Sequence, residues 1–278
     1  MSSFVQRLLI ASQTNQSLVC VGLDPDPSLM AIADVAAFNR SIVDATRDLV
    51  CAYKPNLAFY EALGPQGLSA LQETVAYIRA EAPRVVVIAD AKRGDVGSTN
   101  VRYAKALFDV WGFDAATVNA WGGGESLEPF LEYDDRGVFV WCRASNPGAG
   151  ELQDLQVSSD GEATPLYQYV AARAAEWNRR GNVGVVVGAT YPREVGEVRA
   201  LCQDMPILVP GVGAQSGDLP ASVNNGMDKR GRNLIVSSSR GVLYASREPG
   251  DFAQAARKAV QDLRSQLNRI LEESGKGW

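Results

Sequence analysis

The sequence predicts an α/β protein, a closed (β/α)8 TIM barrel, and three observations support this fold class. Eight short apolar segments rich in valine and isoleucine recur along the chain, as expected for parallel strands that are covered on both faces. Segments with a helical period separate most of them. No GxGxxG motif follows the first apolar segment, which disfavours the open doubly wound sheet of dinucleotide-binding proteins.

The predicted strands and helices alternate along the chain. Strands are predicted over residues 17–24, 50–56, 84–91, 114–119, 137–143, 182–188, 205–210 and 233–238. Helices are predicted over residues 39–49, 67–80, 100–111, 166–180 and 251–271. Pro249, Gly250 and Asp251 mark the start of the last helix, and Gly275 marks its end. Because strand and helix alternate, we expect the parallel sheet to close into a barrel.

The whole chain, residues 1–278, is predicted to form a single barrel domain, because its length fits one α/β barrel and no linker or repeat interrupts it. Two segments do not fit short connections. Residues 211–231, GVGAQSGDLPASVNNGMDKRG, contain five glycines and little apolar periodicity. Such a loop is usually functional or disordered. We predict a substrate lid around residues 211–232, with a flexible insertion as the alternative. Residues 145–162 are the second segment.

Composition excludes several classes of function. The net charge of −5 argues against a nucleic-acid or anionic-membrane partner. The chain contains no histidine, which excludes a catalytic imidazole and histidine-ligated metals. The four cysteines form no CxxC pair and are predicted to be reduced, buried thiols. No signal peptide or membrane-length apolar run is recognised, so we expect a cytoplasmic protein.

Polar residues, together with Pro210, stand at or just after the carboxyl ends of six predicted strands. They are Asp24, Lys54, the group Asp90, Lys92 and Asp95, then Ser145, Pro210 with Gln215, and Arg240. The active sites of α/β barrels lie at these strand ends, on one rim. Although a single charged residue at a strand end is usually a solvated turn residue, the barrel directs this whole set toward a common centre.

The densest group of charges lies in the segment DAKRGD, residues 90–95. Residues two apart in a strand face the same way, so Asp90 and Lys92 are expected to project together into the barrel mouth. Gly94 permits a turn, and Asp95 begins the next loop. A surface ion pair, worth about 0–1 kcal/mol, is the plain alternative. The apolar run VVVIA that precedes the group favours a deeper position.

The segment DAKRGDVGST, residues 90–99, resembles the active-site segment of orotidine 5′-phosphate decarboxylases. Five further segments occur in the order found in that family: GLDPDP (22–27), YKPN (53–56), SNPG (145–148), VPGVGAQSGD (209–218) and VSSSRG (236–241). The resemblance covers nearly the whole chain and is greatest to the bacterial branch with longer chains. It implies decarboxylation of orotidine 5′-monophosphate to uridine 5′-monophosphate in pyrimidine synthesis, with no cofactor and no metal.

By this resemblance, four charged residues would form the centre of the site. Asp24 and Lys54 would contact the ribose hydroxyls, and Lys54 would also belong to the charged network. Asp90 and Lys92 would lie beside the reacting carbon. Loss of CO2 leaves negative charge on that carbon, which an ammonium about 4 Å away stabilises by roughly 4 kcal/mol at an effective dielectric near 20. Lys92 is the candidate for this ammonium and for the proton donor.

The resemblance also implies how the remainder of the nucleotide is held. Ser145 would hydrogen-bond the edge of the pyrimidine, and Pro210 would line the pocket near the base. Gln215 and Arg240 would hold the phosphate, with the lid on the same side. Asp95 and Thr99 would reach into the site of a neighbouring subunit, so the functional unit would be a homodimer with shared active sites.

Three alternatives stay open at this point. A metal-dependent sugar-phosphate lyase or aldolase on a related barrel would hold Mg²⁺ with carboxylates, and DxKxxD permits it. A Schiff-base aldolase would use Lys54 or Lys92, although flanking carboxylates disfavour the neutral amine that such chemistry needs. A non-catalytic phosphate-binding barrel would not need the complete charge array.

Overall fold

The computed structural model describes residues 3–159, 162–212 and 218–278. Within these residues the strands are β1 Val19–Leu23, β2 Ala52–Pro55, β3 Val86–Arg93, β4 Ala115–Val118, β5 Gly137–Arg143, β6 Gln156–Ser159, β7 Glu162–Pro165, β8 Val183–Val187, β9 Ile207–Pro210 and β10 Leu234–Ser238. The parallel strands β1, β10, β9, β8, β5, β4, β3 and β2 are neighbours in that order and close into a barrel. The predicted (β/α)8 barrel and all eight predicted strands are confirmed.

Helices connect and surround the barrel strands. They are α1 Phe4–Asn15, α2 Val35–Thr46, α3 Leu57–Glu61, α4 Gly64–Glu81, α5 Gly97–Lys105, α6 Gly123–Leu131, α7 Gly150–Gln153, α8 Leu166–Trp177, α9 Pro192–Cys202, α10 Leu219–Gly226, α11 Arg240–Leu243 and α12 Phe252–Glu273. The five predicted helices correspond to α2, α4, α5 with the π-helical stretch Ala106–Val110, α8 and α12. On the face of α12 that packs against the barrel, Val260 and Leu271 are buried, whereas Ala255 and Leu263 are half-buried.

The interior of the barrel is closed at its amino-terminal end by α1, a helix that was not among those predicted. Its Phe4, Leu8 and Ala11 pack on inward-facing side chains from all eight barrel strands. The rings of Phe4 and Phe139 meet edge to face, with centroids 5.7 Å apart. A Cβ atom at Gly137 would lie 2.5 Å from the Phe4 ring, so only glycine fits there. The functional site is therefore expected at the opposite, carboxyl-terminal end of the barrel.

The two segments without predicted structure contain short elements. Helix α10 lies inside the segment predicted as a lid loop, where Asp218 caps it by accepting a hydrogen bond from the Ala221 amide, and Val223 is buried. Eight residues are too few to show clear helical periodicity. Residues 213–217, in the same segment, lie outside the described residues, and the lid stays a prediction. The second segment contains α7 and the antiparallel strands β6 and β7.

The remaining sequence predictions concern cysteines and membranes. Cys20, Cys51, Cys142 and Cys202 are all buried and free, as expected. In the part of the chain that the structure describes, no helix combines the length and apolar character needed to cross a membrane.

Candidate active site

A cavity of about 470 Å³ opens at the carboxyl-terminal end of the barrel, opposite α1. It includes six of the predicted site residues: Asp24, Lys54, Asp90, Ser145, Pro210 and Arg240. Lys92 does not itself line the cavity, but its ammonium bonds to Asp90, which does. The six lining residues stand within three residues of the carboxyl ends of β1, β2, β3, β5, β9 and β10. Parallel strands bring them together because all eight strands end on the same rim.

The centre of the site is a row of three charged side chains. Nζ of Lys54 lies 2.9 Å from Oδ2 of Asp90, and Nζ of Lys92 lies 2.5 Å from Oδ1 of the same carboxylate. The side chains of Lys54 and Asp90 are 4% and 11% exposed, whereas that of Lys92 is 37% exposed. The pair Lys54–Asp90 is therefore buried, unlike the surface ion pair that was the alternative for the DAKRGD group, whereas Lys92 is exposed beside it.

Burial and charge act in opposite directions on the two buried members of the array. Burial alone would lower the pKa of Lys54, but the carboxylates of Asp90 and Asp24 raise this pKa above its ordinary value. Burial alone would raise the pKa of Asp90, but the ammonium groups of Lys54 and Lys92 hold it well below its ordinary value. Both groups are therefore charged at neutral pH.

The backbone at the end of β3 departs from a regular strand. Lys92 has a φ of 45°, in the left-handed region that non-glycine residues rarely adopt. The pairing of β3 with β4 shifts register between Ala89 and Arg93. A Cβ atom at Gly94 would lie 2.3 Å from the Asn119 carbonyl oxygen, so a glycine is needed there for the two backbone segments to approach closely. This irregular segment carries the DxKxxD spacing.

Thr117, which no sequence pattern indicated, places its hydroxyl in the irregular junction between β3 and β4. It lies 3.0 Å from each of three atoms: Oδ1 of Asp90 and the amide nitrogens of Ala91 and Lys92. Thr117 is the single polar residue of β4, AATV, and a lone threonine in an apolar strand carries no distinctive signal. Phe59 and Tyr244 also line the cavity and were missed.

Asp24 offers an unused acceptor to the cavity. Its Oδ1 atom is buried and has no hydrogen-bond partner among the described residues. Its backbone is held by Tyr244, whose hydroxyl donates to the Asp24 carbonyl oxygen at 2.7 Å and accepts from the Asp26 amide at 2.7 Å. Since a buried carboxylate oxygen is costly to leave unpaired, this atom is suited to accept a hydrogen bond from a ligand hydroxyl.

Ser145, Pro210 and Arg240 surround the rest of the cavity. Ser145 follows β5, and its carbonyl oxygen accepts a hydrogen bond from the Thr190 hydroxyl. Arg240 is exposed at the first residue of α11 and presents a cation suited to a phosphate. Gln215, the other predicted phosphate ligand, lies outside the described residues.

Asp95 and Thr99 do not line the cavity of their own chain. Asp95 is exposed just before α5, where its side chain accepts a hydrogen bond from the Val96 amide. The Asn100 side chain holds the Asp95 backbone in both directions, by accepting from its amide and donating to its carbonyl oxygen. Thr99 is half-buried in the first turn of α5. Among the described residues, neither side chain forms a hydrogen bond or an ion pair with Lys54, Asp90 or Lys92.

A closed parallel barrel with a buried charge array at its carboxyl-terminal rim defines the class of α/β-barrel enzymes. Within this class, the family model described as "Orotidine 5'-phosphate decarboxylase / HUMPS family" matches residues 17–258. The chain therefore belongs to this family, and the resemblance noted in the sequence is confirmed.

Individual relatives agree with the family match. The chain is 49% identical over 278 aligned positions to an "Orotidine 5'-phosphate decarboxylase" of Thermomicrobium roseum, covering 98% of this chain and 97% of the relative. It is 49% identical over 275 positions to the protein of the same name from Cellvibrio japonicus, covering 96% and 98%. The solved structure of Leishmania donovani OMP decarboxylase is 37% identical, with a TM-score of 0.84 and coverage of 97% and 99%.

Proposed function

We propose that this chain decarboxylates orotidine 5′-monophosphate to uridine 5′-monophosphate in de novo pyrimidine synthesis, without a cofactor. The observation that carries the proposal is the array Lys54–Asp90–Lys92, largely buried at the barrel mouth in a chain of this family. The names of the relatives support the same reaction. A cytoplasmic location fits the four buried, free cysteines.

In the proposed reaction the bond between the pyrimidine carbon and its carboxylate breaks, CO2 leaves and the electron pair stays on the ring carbon. The ammonium of Lys92 stabilises this charge as it develops and then transfers a proton from Nζ to the carbon. Lysine suits both roles because, unlike arginine, it can lose its proton. The partial exposure of the Lys92 side chain gives solvent a route to reprotonate it.

Asp90 organises the cations and adds a second, smaller effect. Its two oxygens hold Lys54 and Lys92 at hydrogen-bond distance, so the positive charge is in place before the substrate reacts. A substrate carboxylate bound next to Asp90 would also be repelled, and this repulsion would vanish as CO2 leaves. We treat this ground-state effect as secondary to stabilisation of the transition state.

Other cavity residues would bind the non-reacting parts of the nucleotide. The unpartnered oxygen of Asp24 is placed to accept a hydrogen bond from a ribose hydroxyl, with Lys54 beside it. Ser145 would meet the edge of the pyrimidine, and Pro210 would pack near the base. Arg240 would bind the phosphate together with Gln215, under the lid around residues 211–232. Binding of the phosphate could then drive closure and organise the site.

We further propose that the functional unit is a homodimer in which Asp95 and Thr99 complete the partner's site. Both residues lie outside the cavity of their own chain. The adjoining surface carries large apolar side chains: Val96, Val101 and Trp121 are 65%, 47% and 81% exposed. Helices α5 and α6 are joined here by the Asn100 side chain, which donates to the Ser126 carbonyl oxygen. An exposed apolar patch of this kind is typical of an interaction surface.

The geometry gives the alternatives less support. A magnesium-dependent lyase needs free carboxylate oxygens, but both oxygens of Asp90 are engaged by ammonium groups. Residues 3–159, 162–212 and 218–278 contain no cluster of three or more histidine, cysteine, aspartate or glutamate side chains suited to a metal ion. A Schiff-base mechanism would require a neutral lysine, whereas the Asp90 and Asp24 carboxylates raise the pKa of Lys54.

The test is a direct assay of turnover. Purified protein is mixed with orotidine 5′-monophosphate, with and without excess EDTA, and loss of the orotate ultraviolet absorbance is followed. We expect rapid loss that EDTA does not change, and no loss with the Lys92→Ala variant. Absence of turnover by folded, dimeric wild-type protein would overturn the proposed reaction, and loss that EDTA abolishes would favour the magnesium-dependent alternative.

A further inference from the structure

The side-chain hydroxyl of Thr117 is almost completely enclosed at the junction of β3 and β4, where Thr117 is 1% exposed. It is within 3.0 Å of the amide nitrogens of Ala91 and Lys92 and of Oδ1 of Asp90. Because Thr117 is enclosed and bonds to Asp90 from the β4 side, it lies behind the charge array and not beside the substrate. Its three contacts all go to residues of the DxKxxD segment.

These contacts determine which way the hydroxyl proton points. A hydroxyl has one donor and two acceptor lone pairs. The amides of Ala91 and Lys92 can only donate, so they occupy both lone pairs, and the proton must be donated to Asp90. Oδ1 of Asp90 consequently accepts from Thr117 and from the Lys92 ammonium. Both bonds favour the ionised carboxylate and hold its plane in one orientation.

The same hydroxyl supports the unusual backbone of Lys92. A non-glycine residue with a φ of 45° is strained and persists only where its surroundings hold it. The register shift between β3 and β4 interrupts the regular ladder at this point. Thr117 takes the place of a carbonyl acceptor for the amides of Ala91 and Lys92 at this interruption.

We infer that Thr117 is a positioning residue for the decarboxylation: one hydroxyl fixes both the carboxylate of Asp90 and the backbone turn from which Lys92 extends. This inference rests on the proposed function, because its effect is read through the proton donor Lys92. Thr117 itself touches neither the substrate nor the reacting carbon. Its loss should therefore slow the chemical step and leave substrate binding nearly unchanged.

The test compares kcat and KM for Thr117→Val, Thr117→Ala and Thr117→Ser. Misplacing a catalytic group by about 1 Å can cost about 100-fold, so we expect Thr117→Val and Thr117→Ala to lower kcat by roughly 10–100-fold with KM changed less than about 3-fold. Thr117→Ser retains the hydroxyl and should keep kcat within about 3-fold of wild type. Thr117→Ala covers the case in which the valine variant fails to fold.

Thr74→Val is the matched control, since Thr74 is also 1% exposed and its hydroxyl also donates and accepts within the core, but in α4. It should lower stability without changing kcat. Provided that the wild type turns over substrate, any of three results would overturn the inference. They are a kcat of Thr117→Val equal to that of wild type, a loss of kcat no larger than in Thr74→Val, and a Thr117→Ser variant whose kcat stays as low as that of Thr117→Val. An inactive wild type would instead remove the proposed function, and the inference with it.

Discussion

The ammonium nitrogen of Lys54 lies 2.9 Å from Oδ2 of Asp90 in the barrel mouth, and both side chains are almost inaccessible to solvent. Neither charge would be tolerated there alone, because removing one ion from water costs several kcal/mol even after relaxation. Each residue therefore makes the burial of the other possible. Substitutions in this pair should change the stability of the fold as well as the proposed catalysis.

Replacement of Asp90 by asparagine should destabilise the protein in a pH-dependent way. The pKa of Asp90 in the folded state lies below its value of about 3.9 in the unfolded state. The ionised carboxylate therefore contributes fully to the free energy of unfolding above about pH 4, and this contribution is lost as the pH falls through the folded-state pKa. We expect a stability difference of about 3 kcal/mol from wild type, constant between about pH 5 and about pH 7 and smaller in stronger acid. Urea denaturation at several pH values measures it, and a difference that grows on acidification would contradict the prediction.

Lys92→Ala should abolish measurable turnover while the fold survives. Loss of an ammonium worth about 4 kcal/mol corresponds to roughly 1000-fold in rate, and loss of the proton donor adds to it. Steady-state decarboxylation measures the effect, and circular dichroism with binding of uridine 5′-monophosphate checks the fold. Lys105→Ala is the control, because this lysine of α5 is 61% exposed and should retain activity. Appreciable turnover by Lys92→Ala would reject Lys92 as the proton donor.

Mixed subunits should reveal whether Asp95 acts across a dimer. Asp95→Asn and Lys92→Ala homodimers should each be nearly inactive, whereas a mixed dimer has one site with both residues intact. Random exchange in an equal mixture should restore about a quarter of wild-type activity, since half of the dimers are mixed and each has one good site. Subunits that carry both substitutions, mixed with Lys92→Ala subunits, are the control and should restore none. No recovery despite demonstrated exchange would reject shared sites.

Asp114 should be important for stability at the opposite end of the barrel. Its buried carboxylate contacts Arg7 of α1 at 2.8 Å and Arg79 of α4 at 2.9 Å. We expect Asp114→Asn to lower the free energy of unfolding by about 3 kcal/mol, because it removes the buried carboxylate that Arg7, Arg79 and Arg136 share. Asp48→Asn, at the exposed pair with Arg257, should cost about 0–1 kcal/mol. Equal losses in the two variants would contradict this role.

Much of the barrel and part of the site were predictable from local sequence. The strands were found because a parallel strand covered on both faces is a continuous apolar run, as in VGVVV of β8. The strand-end rule then identified Asp24, Lys54, Asp90, Ser145, Pro210 and Arg240, which the structure brings into one cavity. Helix α10 was not predicted, because a segment of eight residues that includes one proline and one glycine shows little helical periodicity.

What the sequence by itself determined was the order of strands and helices and the presence of Asp90, Lys92 and Asp95 at one strand end, because these depend on neighbours along the chain. The tertiary structure decided that Thr117 meets Asp90, 27 residues away, and that Phe4 closes the barrel against Phe139. It also decided that Asp95 does not line the cavity of its own chain. These relationships depend on the register between strands and on the barrel's inward-facing side chains, which arise only when distant segments pack together.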